Sequence, residues 1–132
     1  IGNDSSSIII SKNISLGFSK NTYRGLIKIN KNANNIKNYT QCDSLIINNN
    51  SNTYTFPEIE TNNNCQIEHE ASISKINEEQ LFYCLQRGLN KEEALAIIVN
   101  GFCKDILKKL PIEFSVEAYK LVNIKLEGTI GW

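Results

Sequence analysis

QIEHEASISKINEEQLFYCLQRG, running from Gln66 to Gly88, changes grammar in its middle and so divides the chain. Its first part, QIEHEASIS, has the length and alternation of a short strand. In extended backbone Ile67, His69, Ala71 and Ile73 share one face, and Glu68 and Glu70 take the other. Its second part opens with Asn77-Glu78-Glu79-Gln80, which fits a capping box with Asn77 as N-cap and Gln80 at N3. A helix through LFYCLQR then stops at Gly88.

Working outward toward the N-terminus, the strand grammar continues to residue 1. SIII, ISLGF, YRGLIKIN, YTQCDSLII and TYTFPEIE each read as a strand. SKN, SKNT, KNANNIKN, NNNSN and TNNN read as the turns between them, because Asn and Ser accept left-handed backbone and bond locally. In YRGLIKIN, Ile27 and Ile29 lie on one face and Leu26, Lys28 and Asn30 on the other, the pattern of a half-buried strand. Asn runs also stack as ladders in solenoids, but no exact repeat is present. Periodicity alone leaves a solenoid and a sandwich both open.

Toward the C-terminus the helical grammar continues. Asn90 with Glu93 at N3 repeats the capping device, and a second helix runs through ALAIIVNGFCKDILKK to about Lys109. Ala94, Ile97, Ile98, Phe102 and Ile106 form its expected apolar stripe, widened by Leu95, Val99 and Cys103. Pro111 can end that helix and begin a third, which runs through about Glu127 and stops at Gly128. Phe114, Ala118, Leu121 and Val122 make the third stripe. Strands followed by helices predict a segregated α+β fold, with residues 1–76 in one part and 77–132 in the other.

Composition narrows the function classes. The 132 residues carry 14 basic and 14 acidic side chains, so the basic excess of a nucleic-acid binder is missing. No apolar run approaches the ~20 residues that span a bilayer, and no secretory leader pattern is visible. The chain has no methionine, so it reads as a piece of a longer protein. Its Asn, Ile and Lys bias is what AT-rich codons produce.

The candidate chemistry is concentrated in a few residues. Cys42, Cys65, Cys84 and Cys103 form no Cys-x-x-Cys pair, which argues against a four-cysteine zinc site. Cys84 and Cys103 lie on apolar helix faces and read as core, while Cys65 ends an Asn turn with no activating neighbour. Cys42 sits among polar residues in TQCDS, a setting less typical of core filler. His69, the single histidine, lies between Glu68 and Glu70, and its plainer reading is a strand-edge imidazole between two solvated carboxylates. A Cys42–His69 hydrolase dyad lacks a nucleophile elbow, an oxyanion loop and a third orienting group. A soft thiolate together with carboxylate or imidazole suits iron, or a transiently held iron–sulfur species.

NTYRGLIKI, YTQCDSLII, TYTFPEIE, IEHEASIS, EEQLFYCLQRGL, EEALAIIVNGFCKDIL and LPIEF follow one another as in one family. Taken together they resemble the C-terminal part of the SufB/SufD family, scaffold subunits of the SUF iron–sulfur cluster assembly system. TQCDS, IEHEA and FYCLQRG are closer to its SufB branch. The resemblance covers essentially the whole chain. It implies that residues 1–76 are the last turns of a right-handed parallel β-helix and that 77–132 are a small three-helix domain. It also implies a scaffold and not an enzyme, with ATP hydrolysis left to a partner ATPase, SufC, docked on the helices, and with SufD bound through the β-helix.

By the same resemblance Cys42 is the cluster-assembly cysteine and Glu70 the glutamate acting with it. Glu68 and His69 are their neighbours, and the iron–sulfur cluster is held only transiently. Shared ligation would call for Cys42 and Glu70 on one exposed face, within about 10 Å of each other. The family's N-terminal helical domain, early β-helix turns and upstream sulfur-accepting cysteine lie outside this sequence. The codon bias and the family together suggest a plastid-type organelle, apicoplast or chloroplast, and otherwise a bacterial cytoplasm. An open solenoid end would allow the piece to form a homodimer. The alternative is a SufD-like interaction module that holds no cluster.

Overall fold

The computed structural model describes residues 2–61 and 64–127. Five strands precede three helices: β1 (Ser6–Ser15), β2 (Lys20–Lys28), β3 (Ile36–Ile46), β4 (Asn52–Glu60), β5 (Cys65–Lys75), α1 (Glu78–Gln86), α2 (Lys91–Leu107) and α3 (Ile112–Glu127). They fall into two compact units, Ile1–Ser74 and Lys75–Trp132.

In the first unit alternate strands pair, giving one sheet of order β1-β3-β5 and another of order β2-β4. Pairing is parallel, so each return to the same sheet needs a crossover through the other. Ser6 pairs with Lys37 and Ser15 with Ile46, a constant offset of 31 residues. Lys20 pairs with Asn52 and Lys28 with Glu60, an offset of 32. Pro57, which has no N–H to give a ladder, sits on β4 at the edge of the smaller sheet.

The interior of this unit is largely polar. Ser15, Asn38, Thr40, Ser44 and Ser51 are buried beside Ala33, Cys42, Leu45 and Ile46. They persist there because they bond to one another and to the backbone. Asn21 donates to the Ile14 carbonyl and to Ser15 Oγ, both at 2.9 Å. Asn38 donates to Ser7 Oγ at 2.7 Å and accepts from Thr40 Oγ1 at 3.0 Å.

Two sequence expectations are corrected here. SIII and the start of ISLGF are one continuous strand, and SKN (residues 11–13) lies inside it. Asn13 is no turn residue, because its amide is spent on inward-facing partners. The turn comes later, where Gly17 adopts φ +66° and Leu16 and Ser19 bond to each other. KNANNIKN also ends early: Asn35 takes the left-handed turn conformation, whereas Asn38 is already buried within β3. Within TNNN, Asn62 and Asn63 lie outside the described residues.

The helical unit follows its caps closely. Asn77 caps α1 through the Glu79 amide, one residue earlier than the expected box would have it. Gly88, at φ +88°, closes α1 in a Schellman motif: Leu89 N–H reaches the Cys84 carbonyl and Gly88 N–H that of Leu85. Asn90 and Glu93 form the full capping box of α2, at 2.8 and 2.9 Å. The expected stop at Gly128 lies outside the described residues.

The buried faces differ from the expected stripes. In α2 the buried residues are Ala94, Leu95, Val99 and Leu107, while Ile97 is 54% exposed. In α3 Leu126 is buried and Phe114 is 65% exposed. Both helices are apolar over more than one face, so contact with neighbouring helices, and not periodicity, selects the side that is covered.

Candidate functional site

β3 places its side chains alternately inside and outside the first unit. Asn38, Thr40, Cys42 and Ser44 point inward, and Tyr39, Gln41 and Asp43 stay partly exposed. Cys42 is only 1% exposed. Its sulfur has polar neighbours: Asn13 Nδ2 on β1 donates to its Sγ at 3.7 Å, and Thr55 Oγ1 on β4 lies 3.8 Å away. The same Asn13 amide reaches Ser44 Oγ at 3.5 Å, and Thr53 donates to Ser44 at 3.2 Å. A free thiol therefore sits where two sheets meet through small polar groups.

β5 supplies the acid–imidazole–acid triplet and splits it between faces. Glu70 is exposed and accepts a 3.1 Å hydrogen bond from the Tyr39 hydroxyl. Nearby on that face Asp43 accepts from Ser72 Oγ at 2.6 Å and from Gln41 Nε2 at 2.8 Å. Lys12 stands 3.9 Å from the same carboxylate, and Glu68 accepts from Gln66. The bond to Glu70 holds the Tyr39 phenol above its usual range; slight burial and the charges of Glu70, Asp43 and Glu68 push the same way. His69 turns to the opposite side, and among the described residues neither of its ring nitrogens has a hydrogen-bond partner.

The single chain therefore does not bring the four candidates together. Cys42 and Glu70 leave opposite faces, and Cys42 lies three residues beyond the Tyr39 that meets Glu70, about 10 Å along the strand. The condition for shared ligation, one exposed face, is not met within the single chain: position 42 has the inward parity of β3 and position 70 the outward parity of β5. Among the described residues no three His, Cys, Asp or Glu side chains converge as a metal site. His69 shares the inner side with Cys42, but its unpartnered nitrogens rule out a bonded dyad. Cys65 lies 3.2 Å from Thr61 Oγ1. Cys84 and Cys103 are half-buried and not deep core; Cys84 lines an open groove of about 490 Å³ with Tyr83, Ile97 and Ile98.

Asn13, Thr55 and Tyr39 are the site neighbours that sequence reasoning passed over. Asn13 was masked by its turn-like context. The alternation of TYTFPEIE could have indicated that Thr53 and Thr55 share a face, but not which cysteine they would meet.

Comparison with known proteins bears directly on this arrangement. Residues 1–102 match the SufBD core domain of SUF-system iron–sulfur cluster assembly. An "Iron-sulfur cluster assembly SufBD family protein ycf24" from Galdieria sulphuraria is 58% identical over 132 residues, covering 99% of this chain and 60% of that protein. A SufBD family protein of Synechocystis is 54% identical over 99% of this chain and 28% of its own length. An Arabidopsis thaliana member labelled chloroplastic is 48% identical over 98% of this chain and 24% of its own. The chain thus spans from 24% to 60% of the length of these relatives. With its core-domain match over residues 1–102 and its similarity to these relatives along nearly the whole of this chain, the chain belongs to the SufBD family of iron–sulfur cluster assembly proteins.

Proposed function

We propose that the chain is the C-terminal part of a SufB-type scaffold on which a nascent iron–sulfur cluster is built and then released. The cluster is cargo, and the chain does no turnover chemistry of its own. The observation that carries this reading is a free cysteine held in a polar interior, next to the strand that bears Glu68, His69 and Glu70. A structural cysteine would ordinarily be packed in hydrocarbon. Cys42 supplies the sulfur ligand and Glu70 a hard oxygen ligand, with His69 and Glu68 assisting. Mixed ligation of this kind favours release over permanent retention. The orphaned ring nitrogens of His69 support its availability as a ligand.

The offsets of 31 and 32 residues are those of successive coils, which supports a right-handed parallel β-helix for the first unit. Because thiol and carboxylate leave opposite faces, one iron can meet both only if β5 is displaced; with β5 in place, a second subunit has to complete the ligand set at each. β5 lies at the edge of its sheet, where displacement breaks one ladder and not two. SufD is the partner at that side. SufC docks on the helical unit, whose exposed Ile112, Phe114 and Leu121 offer an uncovered apolar surface. The resemblance to algal, cyanobacterial and chloroplastic relatives supports work in a plastid-type organelle.

Anaerobic reconstitution with ferrous iron and sulfide, in complex with SufC and SufD, tests the assignment. The visible absorption band should be lost in Cys42→Ser and in Glu70→Ala. The separation of the two side chains favours a second reading, a SufD-like interaction module without ligation. Unchanged loading in both variants would leave that reading in place.

A further inference from the structure

Cys42 Sγ faces two polar groups from two different strands, and neither is a residue the cluster reading uses. Asn13 on β1 can only donate through Nδ2, so the sulfur is the acceptor in that 3.7 Å contact. Thr55 on β4 can turn its hydroxyl either way across 3.8 Å. As a thiol, Cys42 can donate to Thr55 while accepting from Asn13. As an anionic sulfur, it can accept from both. One fixed donor and one reversible partner therefore suit both protonation states without movement of the backbone.

We propose that Asn13 and Thr55 are positioning residues for the sulfur carried by Cys42, holding it on the inner side of the sheets whether it is a thiol or a persulfide. This rests on the proposed function, in which Cys42 is the sulfur ligand, and adds to it that the same thiol takes up and carries sulfane sulfur. Sulfur reaches it by attack of the thiolate on a sulfane donor. With inorganic polysulfide, one S–S bond of the donor breaks and a new one forms at Sγ. The shortened polysulfide dianion leaves with the electron pair, and Cys42 is left as a persulfide anion. The attacking thiolate, whose charge lies on Sγ, gains most from the two converging donors, because hydrogen bonds to charged acceptors exceed those to neutral ones. Once the persulfide has formed, its charge lies on the outer sulfur and the same two groups keep Sγ facing inward.

The companion contacts give this cradle its stiffness. Asn13 is also bonded to Ser44, which takes a further bond from Thr53, so the amide does not swing freely. β-branched Thr55 has a restricted χ1 and lies in a strand paired along its whole length.

The test uses the 132-residue chain with Cys65, Cys84 and Cys103 replaced by Ser, leaving Cys42 as the single thiol. Two readouts are needed. The first is the infrared S–H stretch, identified by its disappearance in Cys42→Ser. The second is the half-life of sulfane sulfur loaded anaerobically from polysulfide and counted as thiocyanate after cyanolysis. Thr55→Val, which keeps the shape, should shift the S–H band and shorten retention roughly tenfold. Thr55→Ser should restore both, and Asn13→Leu should act like Thr55→Val.

If the chain loads sulfur but neither band nor retention changes in Thr55→Val, the positioning inference is overturned while the carrier reading stands. If the chain takes up no sulfur, the carrier reading and the persulfide role fall together. A band shift in that case would leave only a thiol cradle. Should Asn13→Leu not fold, the Thr55 pair decides the matter alone.

Discussion

In the β unit the side chains most thoroughly removed from water include Ser15, Thr40, Cys42 and Ser44; in the helical unit they are Ala94 and Val99. The strands hold together through continuous parallel ladders, and the space between the sheets can then be filled by small hydroxyl and amide groups bonded to one another. The helices satisfy their backbones internally and pack through apolar contact, with Asn100 on α2 also donating to Asn123 on α3 at 3.1 Å. Yet they bury little, and Phe82, Ile112, Phe114, Leu121 and Ile124 are all left exposed. The difference teaches where function can reside. A polar interior accommodates a free thiol, and the helices leave a set of apolar side chains in water.

The most severe way to break this contrast is Val99→Asp, which puts an unpaired charge at a fully buried helical position. A loss of about 4 kcal/mol is expected, read as collapse of the helical circular-dichroism signal on mild urea titration. Retained helix content would mean that the apolar contact is not what joins these helices. Thr40→Val is the converse experiment in the β unit. It removes the 3.0 Å bond to Asn38 without changing shape, and a loss of about 1–2 kcal/mol in denaturant midpoint is expected. A neutral result would show that the polar interior is tolerated and not stabilising.

The outer face permits a finer test through pH. Tyr39 has its pKa raised above 10.0, chiefly by its bond to Glu70. Its contribution to folding is therefore complete below pH 10.0 and is lost as pH rises through the higher folded value, when a phenolate would face a carboxylate. Ultraviolet difference titration against Tyr39→Phe isolates this group, and Glu70→Gln should return its midpoint toward 10.0. An unmoved midpoint would mean that β3 and β5 do not meet there. Smallest in stability is Ile112→Ser with Phe114→Ser, expected within about 0.5 kcal/mol per site because both side chains are already in water. If the helical unit docks SufC as proposed, the same pair should abolish SufC capture in a pull-down; unimpaired capture would overturn that docking surface.

Legibility varied with the range of the interaction involved. Caps were readable because they are local: Asn90 needs only Glu93, and Gly88 needs only its own helix. The outward parity of Glu68 and Glu70 against His69 was readable for the same reason, since alternation is a property of extended backbone. SKN failed as a turn because the same Asn that bonds locally in a loop can bond across strands in a ladder, and only the partner distinguishes the two. Ile97 and Val99 failed as a ranking because both lie on an apolar helix, and coverage depends on what packs against it.

By itself the sequence determined that strands would give way to helices near Lys75, where those helices begin and which triplet members share a face. Each is decided by neighbours within a few residues through backbone geometry and capping hydrogen bonds. Only the tertiary structure decided that Cys42 faces inward onto Asn13 and Thr55 while Glu70 meets Tyr39 outside. Those outcomes depend on which side of each strand the second sheet covers, a choice made by residues 13 to 31 positions away and invisible to any local pattern.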